Sequence, residues 1–381
     1  MLAKIKKSCN RFKIDLVTLQ LCEICLQISK SAFKFTWVRN FWMKKTITTL
    51  LVLVCFNFAF PQLGGEATYQ FLNLVSSPRQ AALGGKVLTN VDYDVTQGLY
   101  NPATINVEMD NQLALNYSSY LGGIGYGTAA YAYTWDRRTQ TIHAGVTYIN
   151  YGQFDGYDEN GVSTGSFTGN EAALSVGYAK QIGYSDFYLG GNIKFITSKL
   201  EQYTSLGVAA DIGLLFINEK LDFNAALVVR NVGTQITTYA GLNEKLPLEV
   251  DFGMSQTLEH MPLRWHLTFE NLQKWPIASP NPAQVTTDLE GNQTEDKVGF
   301  LGQLMRRTII GAELFPDRGF NIRLGYNFRR AAELRILEQR DFSGLSFGIG
   351  IKLNKMRFSY THARYSSASN ASFFGLQMDL R

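Results

Sequence analysis

The side chains best spaced for chemistry in this 381-residue chain are His266 and Glu270, with Arg264 and Thr268 at the intervening alternate positions. Residues two apart in an extended strand share a face. All four therefore line one surface, while Trp265, Leu267 and Phe269 line the other. An imidazole and a carboxylate on one face could move a proton. No nucleophile is placed by spacing beside them, and a solvated polar face accounts for the same pattern, so no enzyme is expected. Asp155, Asp158, Glu159 and Asn160 offer oxygens to a cation but lack the alternate spacing of a calcium loop. Gly122, Gly123, Gly125 and Gly127 precede no helix that could present its N-terminus to a phosphate. Cys22 and Cys25 have CxxC spacing without a second pair, and Cys9 and Cys55 also fall before residue 62. Neither a metal nor a cofactor is expected.

The elements that carry these residues are strands. Leu246, Leu248, Val250, Phe252 and Met254 alternate with Glu249, Asp251, Gly253 and Ser255. Phe320, Ile322, Leu324, Tyr326 and Phe328 alternate in the same way with Asn321, Arg323, Gly325, Asn327 and Arg329. From Asn111 onward about fourteen such segments follow one another. Each is near the roughly 9 to 11 residues that a tilted strand needs to cross a bilayer. Long connections such as 151–169 and 272–305 alternate with tight turns such as 182–184. A soluble sandwich has no such parity; a barrel with long loops outside and short turns in the periplasm does. The expected class is all-β: a transmembrane antiparallel β-barrel of about 14 strands over 111–381, in a bacterial outer membrane with its termini in the periplasm. Tyr131, Tyr133 and Trp135 beside the Asp136 turn fit an interfacial aromatic girdle.

Met43 to Gln62 reads as a signal peptide, with Lys44 and Lys45 before an apolar run, and 1–42 as an upstream extension from a mis-assigned start. Residues 1–61 hold 10 of the 36 Lys and Arg but 2 of the 32 Asp and Glu, so the net +4 becomes −4 without them, 26 basic against 30 acidic. The basic balance belongs to the leader, which removes nucleic acid as a partner.

Residues 63–110 alternate poorly and have the right length and place to plug a lumen too wide for its own side chains to fill. Ser77, Pro78 and Gln80 spell a capped helix start with a capping-box partner, and Gly84 and Gly85 a stop.

The runs Phe71, Leu72, Asn73, Leu74, then Ala81, Ala82, Leu83, Gly84, Gly85, then Asn101, Pro102, Ala103 resemble the N-terminal hatch of FadL-like outer-membrane proteins. Those have fourteen strands and a hatch with an Asn-Pro-Ala motif, and the resemblance spans the chain from about residue 66. Within them it is similar to the PorV/PorQ family of the type IX protein secretion system in Bacteroidetes, nearer its PorQ members. One departure is the terminal Asp379, Leu380, Arg381, which lacks the aromatic that ends many such barrels. The resemblance implies a non-enzymatic membrane anchor or scaffold for a cell-surface cargo attachment complex. The implied partners are a PorZ-like surface protein, with PorU and PorV, and outer-membrane lipid. The alternative is transport of long-chain fatty acids or other hydrophobic small molecules, as in the founding FadL proteins. That activity needs an apolar pocket. Asp211, Asp222, Arg230, Glu249, Asp251, Arg264, Glu270, Arg323 and Lys352 share lumen parity and suit salt bridges to a plug better. Trp275, Pro276, Pro280 and Pro282 mark the 272–305 loop as a partner-docking element.

Overall fold

The structure, a computed structural model, describes residues 67–75, 77–120, 123–136, 140–275, 277, 286–287, 293–294, 298–316, 318–333, 342–366 and 369–381. The leader segments 1–42 and 43–62, and Pro276, Pro280 and Pro282, lie outside the described residues.

Fourteen antiparallel strands close on themselves. They are β1 (Gln112–Ser119), β2 (Gly125–Asp136), β3 (Gln140–Tyr157), β4 (Ser163–Gln181), β5 (Phe187–Leu200), β6 (Tyr203–Asn218) and β7 (Phe223–Thr237), followed by β8 (Glu249–Thr257), β9 (Leu263–Phe269), β10 (Thr308–Leu314), β11 (Phe320–Asn327), β12 (Leu345–Leu353), β13 (Met356–Ser366) and β14 (Ser369–Asp379). Each pairs with its sequence neighbours, and β1 closes on β14 from Gln112 opposite Asp379 to Ser119 opposite Ser372. Closure removes the two unpaired edges that a sheet cannot expose to lipid.

The sequence alternation becomes an inside-out pattern. On β5 Leu189, Ile193 and Phe195 are about half exposed on the outer wall, while Asn192, Lys194 and Ser198 are buried within. On β12 Leu345, Phe347, Ile349 and Ile351 face out and Ser346 faces in. Apolar outside and polar inside is stable only where the outside is lipid. No helix among the described residues is long and apolar enough to cross a membrane; the strands cross. Trp135 stacks on Tyr178 at 6.4 Å and donates from Nε1 to Gln140 at 2.6 Å, so its ring stays at the wall with its polar edge satisfied.

One rim carries the β2–β3, β4–β5, β6–β7, β8–β9, β10–β11 and β12–β13 connections together with the start of β1 and the end of β14; we call it the turn rim. Asn354 closes the β12–β13 turn at φ 53°, a left-handed conformation that Asn tolerates. The opposite loop rim carries the β7–β8, β9–β10 and β11–β12 connections, which are longer, and also the β1–β2, β3–β4, β5–β6 and β13–β14 connections, which are as short as the turns, so the expected parity of the connections holds only for three of them.

Three expectations about segments change. The 151–169 connection is not a loop: β3 and β4 continue past their neighbours and pair with each other, Phe154 opposite Phe167 and Gly156 opposite Gly165. Both faces are exposed there, so burial no longer alternates although the backbone pairing continues. Leu246 belongs to no strand and turns inward against Tyr69 and Phe71 of the plug. Phe328 and Arg329 leave β11 for a short helix, Phe328–Glu333.

Residues 67–110 fill the lumen. Helix α1 (Pro78–Ala82) starts at Ser77, whose hydroxyl accepts from Gln80 N at 3.2 Å, and stops at Gly84 and Gly85, with φ of 96° and 118°. Gln80 is not the reciprocal cap. Its amide instead donates to Val87 O at 3.0 Å and Gln97 Oε1 at 2.6 Å and accepts from Val87 N at 2.8 Å, which ties the helix to the following chain. The segment traverses the lumen once: Thr68 N donates to Lys245 O at the loop rim at 3.0 Å, and Asp110 Oδ1 accepts from Thr134 N at the turn rim at 2.8 Å. The first described residues and the C-terminus thus lie at opposite rims. The first and last barrel strands, by contrast, begin and end at the same turn rim, as an even strand count requires.

Glycines on the inner wall let the plug backbone approach. A Cβ at Gly325 would collide with the Leu83 and Gly84 backbone, and one at Gly190 with that of Pro102 and Ala103. Gly190→Val is therefore expected to leave the barrel assembled with its plug unseated. Limited proteolysis checks this, as cleavage within residues 95–106 that the parent resists.

Candidate functional site

The Asn-Pro-Ala motif forms a single turn at the wall. Asn101 Oδ1 accepts from Ala103 N at 3.0 Å, its Nδ2 donates to Leu88 O at 2.7 Å, and Pro102 begins the 3-10 turn Pro102–Thr104. Asn101, fully buried, thus both caps this turn and clasps the Leu88 backbone of the plug. Opposite it, Gly213 leaves room for the Asn101 carbonyl oxygen.

Two cations of the plug reach into acidic sockets of the wall. Arg79 places one nitrogen 2.8 Å from Asp92 of the plug and another 2.9 Å from Glu313 of β10, which also accepts from Arg323 Nε at 2.7 Å. Arg264 stands 3.6 Å from Asp92 and 3.9 Å from Glu313. Lys86 sits 2.8 Å from Glu249, 3.2 Å from Glu270 and 3.7 Å from Asp251. Arg230 completes this second socket, 3.2 Å from Glu249, and donates to Leu72 O at 2.9 Å while lying 4.8 Å over the Tyr100 ring. A separate pair, Lys194 and Asp211 at 2.7 Å, joins β5 to β6.

Of the nine lumen-parity charges, Asp211, Arg230, Glu249, Asp251, Glu270 and Arg323 are buried as expected and Arg264 is partly so. Asp222 and Lys352 are exposed: Asp222 falls in the turn before β7 with φ 45°, and Lys352 lies at the turn rim. Sequence reasoning missed Glu313, Arg79 and Lys86. Glu313 lies on β10 with inward parity, a signal that was readable; the plug has no period to show which way Arg79 and Lys86 point.

The proton-transfer pair does not form. Glu270 is taken by Lys86 and lies just beyond β9, while both ring nitrogens of buried His266 lack a hydrogen-bond partner among the described residues. Buried His143 uses Nε2 against Val95 O at 2.9 Å. Asp158 Oδ1 accepts from Asn160 N and Val162 N at 2.9 and 2.8 Å and shapes the β3–β4 turn. Trp275 is half exposed but anchored, with Arg307 4.6 Å over its ring and Phe300 5.5 Å away.

Two hollows between plug and wall, among the described residues, are small. One at the turn rim measures ≈ 40 Å³ and one beside Tyr100 and Arg230 ≈ 20 Å³. A ligand pocket for a drug-sized or acyl molecule needs on the order of 300 Å³ or more.

At neutral pH, Lys86→Met leaves Asp251 without a cation and Glu249 and Glu270 with only Arg230 and Arg329, and is expected to cost about 3–5 kcal/mol. Adding Glu249→Gln should recover part of that loss in urea unfolding.

No family model matches the chain, and no curated protein sequence matches it. Among solved structures it is similar to a Pseudomonas aeruginosa FadL homologue, over 80% of this chain and 98% of that one, at 10% identity and a TM-score of 0.45. It is also similar to the KdgM porin, over 71% and 99%, at 6% identity and a TM-score of 0.32. The translocator domain of autotransporter NalP from Neisseria meningitidis aligns over 70% and 86%, at 9% identity and a TM-score of 0.27. What stands without any relative is the class: a closed fourteen-stranded membrane β-barrel whose lumen is filled by the chain's own N-terminal segment.

Proposed function

We propose that this protein is a non-conducting anchor in the bacterial outer membrane, a PorQ-like component of type IX secretion that holds a surface attachment complex. The observation that carries the reading is the plug pinned by Arg79 and Lys86, with hollows of only ≈ 40 and ≈ 20 Å³ beside it. A barrel with its lumen occupied in this way has its outer wall and its rims left to work with. In this reading the turn rim faces the periplasm and the loop rim faces outward, as loop lengths favour.

The partner-facing element is the β3–β4 hairpin rather than the Trp275 loop alone. Past Asn150 of β3 and Thr168 of β4, neither strand has an outer neighbour. The free ladder, 151–157 against 163–167, rises about 20 Å at the usual strand rise. It stacks Phe154 on Phe167 at 5.5 Å and exposes Tyr157 and Val162 by more than three-fifths. An isolated two-stranded ladder is marginal in water, and its unpaired backbone edges and exposed aromatics are what a partner can cover. A PorZ-like surface protein, together with PorU and PorV, is the partner set this reading assigns.

Affinity purification of the protein from detergent-extracted outer membrane, with mass spectrometry of what it retains, tests the reading. Secretion components are expected. Recovery of fatty acid without protein partners, with saturable fatty-acid binding, would establish the transport alternative instead. Replacing 153–167 by a two-residue turn is expected to leave the barrel folded and release the surface partner, and unchanged co-purification rejects the hairpin's role.

A further inference from the structure

The hollow at the turn rim holds more positive charge than the protein neutralises. Lys352 on β12 and Arg357 on β13 are direct cross-strand partners, both on the lumen-facing parity of their strands. Like charges set opposite each other in a ladder are destabilising. Neither has a carboxylate partner among the described residues, and Arg357 lies 3.2 Å over the Tyr93 ring of the plug. Both line the ≈ 40 Å³ hollow between the plug and the wall. Arg323 lines it as well. It is 3% exposed, and although its Nε donates to Glu313 at 2.7 Å, its NH1 nitrogen has no hydrogen-bond partner. A buried guanidinium nitrogen without an acceptor is costly. Asp94, the one carboxylate among the lining residues, is engaged by Thr96 N at 3.1 Å and faces Arg79 at 3.8 Å.

We propose that this hollow binds a small oxyanion of the phosphate type. Such a group would accept from the free Arg323 nitrogen and place negative charge between Lys352 and Arg357, which removes both the unsatisfied donor and the like-charge juxtaposition. Guanidinium groups suit tetrahedral oxyanions because their donors are fixed in a planar fork. The volume fits as well: a water needs roughly 10–15 Å³ of such space, so the hollow takes one four-oxygen anion or a few waters and excludes an acyl chain. Because the hollow opens at the turn rim, the anion is either free or the terminal group of a larger molecule on that side of the membrane.

The test is calorimetric titration of the full chain, purified in detergent in chloride buffer, with inorganic phosphate. Saturable one-to-one binding is expected. Lys352→Met and Arg357→Met should each weaken it at least tenfold, in proteins whose folding is verified by heat-modifiable migration. Lys220→Met, an exposed cation in the turn before β7 on the same rim, should leave it unchanged. Phenyl phosphate separates the two sources: affinity equal to that of inorganic phosphate points to a group carried on a larger molecule, and exclusion points to the free ion. Absence of saturable binding, or equal weakening by Lys220→Met, would overturn the site.

Discussion

The interaction on which the rest depends is the insertion of two plug cations, Arg79 and Lys86, into acidic sockets of the inner wall at Glu313 and at Glu249, Asp251 and Glu270. A buried ion pair gains little over a well-packed apolar pair, because both charges must leave water first. Breaking one, however, leaves a charge alone in a place where it cannot be hydrated. The sockets therefore act less as glue than as a choice of seating. A plug shifted by one strand would set Lys86 against the wrong wall and strand charges on both sides. Around these pins the fit is made by absence of side chain, at Gly190, Gly213 and Gly325, where the plug backbone touches the wall.

That seating explains why a barrel of this width carries so many charged residues inside. The inward face of each strand must be polar for assembly in water and still be covered in the finished protein. The plug reconciles the two by bringing countercharges with it, Arg79 to Glu313 and Lys86 to Glu249, and a backbone acceptor, Leu72 O, to Arg230. With the interior occupied, the features left to interact with other molecules are at the rims, in the unsupported β3–β4 ladder at one end and the cationic hollow at the other.

The strands were legible because a membrane barrel writes its two faces into sequence with a period of two, and residues such as Asn321 and Arg323 against Leu324 and Tyr326 fall where that period puts them. Their limits were less so. Nothing in 151–169 distinguishes a loop from a ladder that has outrun its neighbours, since both are polar and glycine-rich, and Leu246 continued the β8 alternation until Tyr69 and Phe71 drew it inward. The plug was recognisable as a segment but not as a path. Its Ser77 cap and Gly84–Gly85 stop are local signals, read correctly, whereas Gln80 answered to Val87 and Gln97, contacts that no local spacing encodes. The His266–Glu270 pairing failed for a related reason: a shared strand face says that two groups are near, but a third group from the plug, Lys86, took the carboxylate.

The central claim is that the lumen is sealed by its own chain. Single-channel recording of the purified protein in planar bilayers at neutral pH tests it most directly. The account predicts insertion without ohmic conductance steps, with steps appearing when Arg79 and Lys86 are both replaced by Met. Stable conductance from the unaltered protein would contradict it.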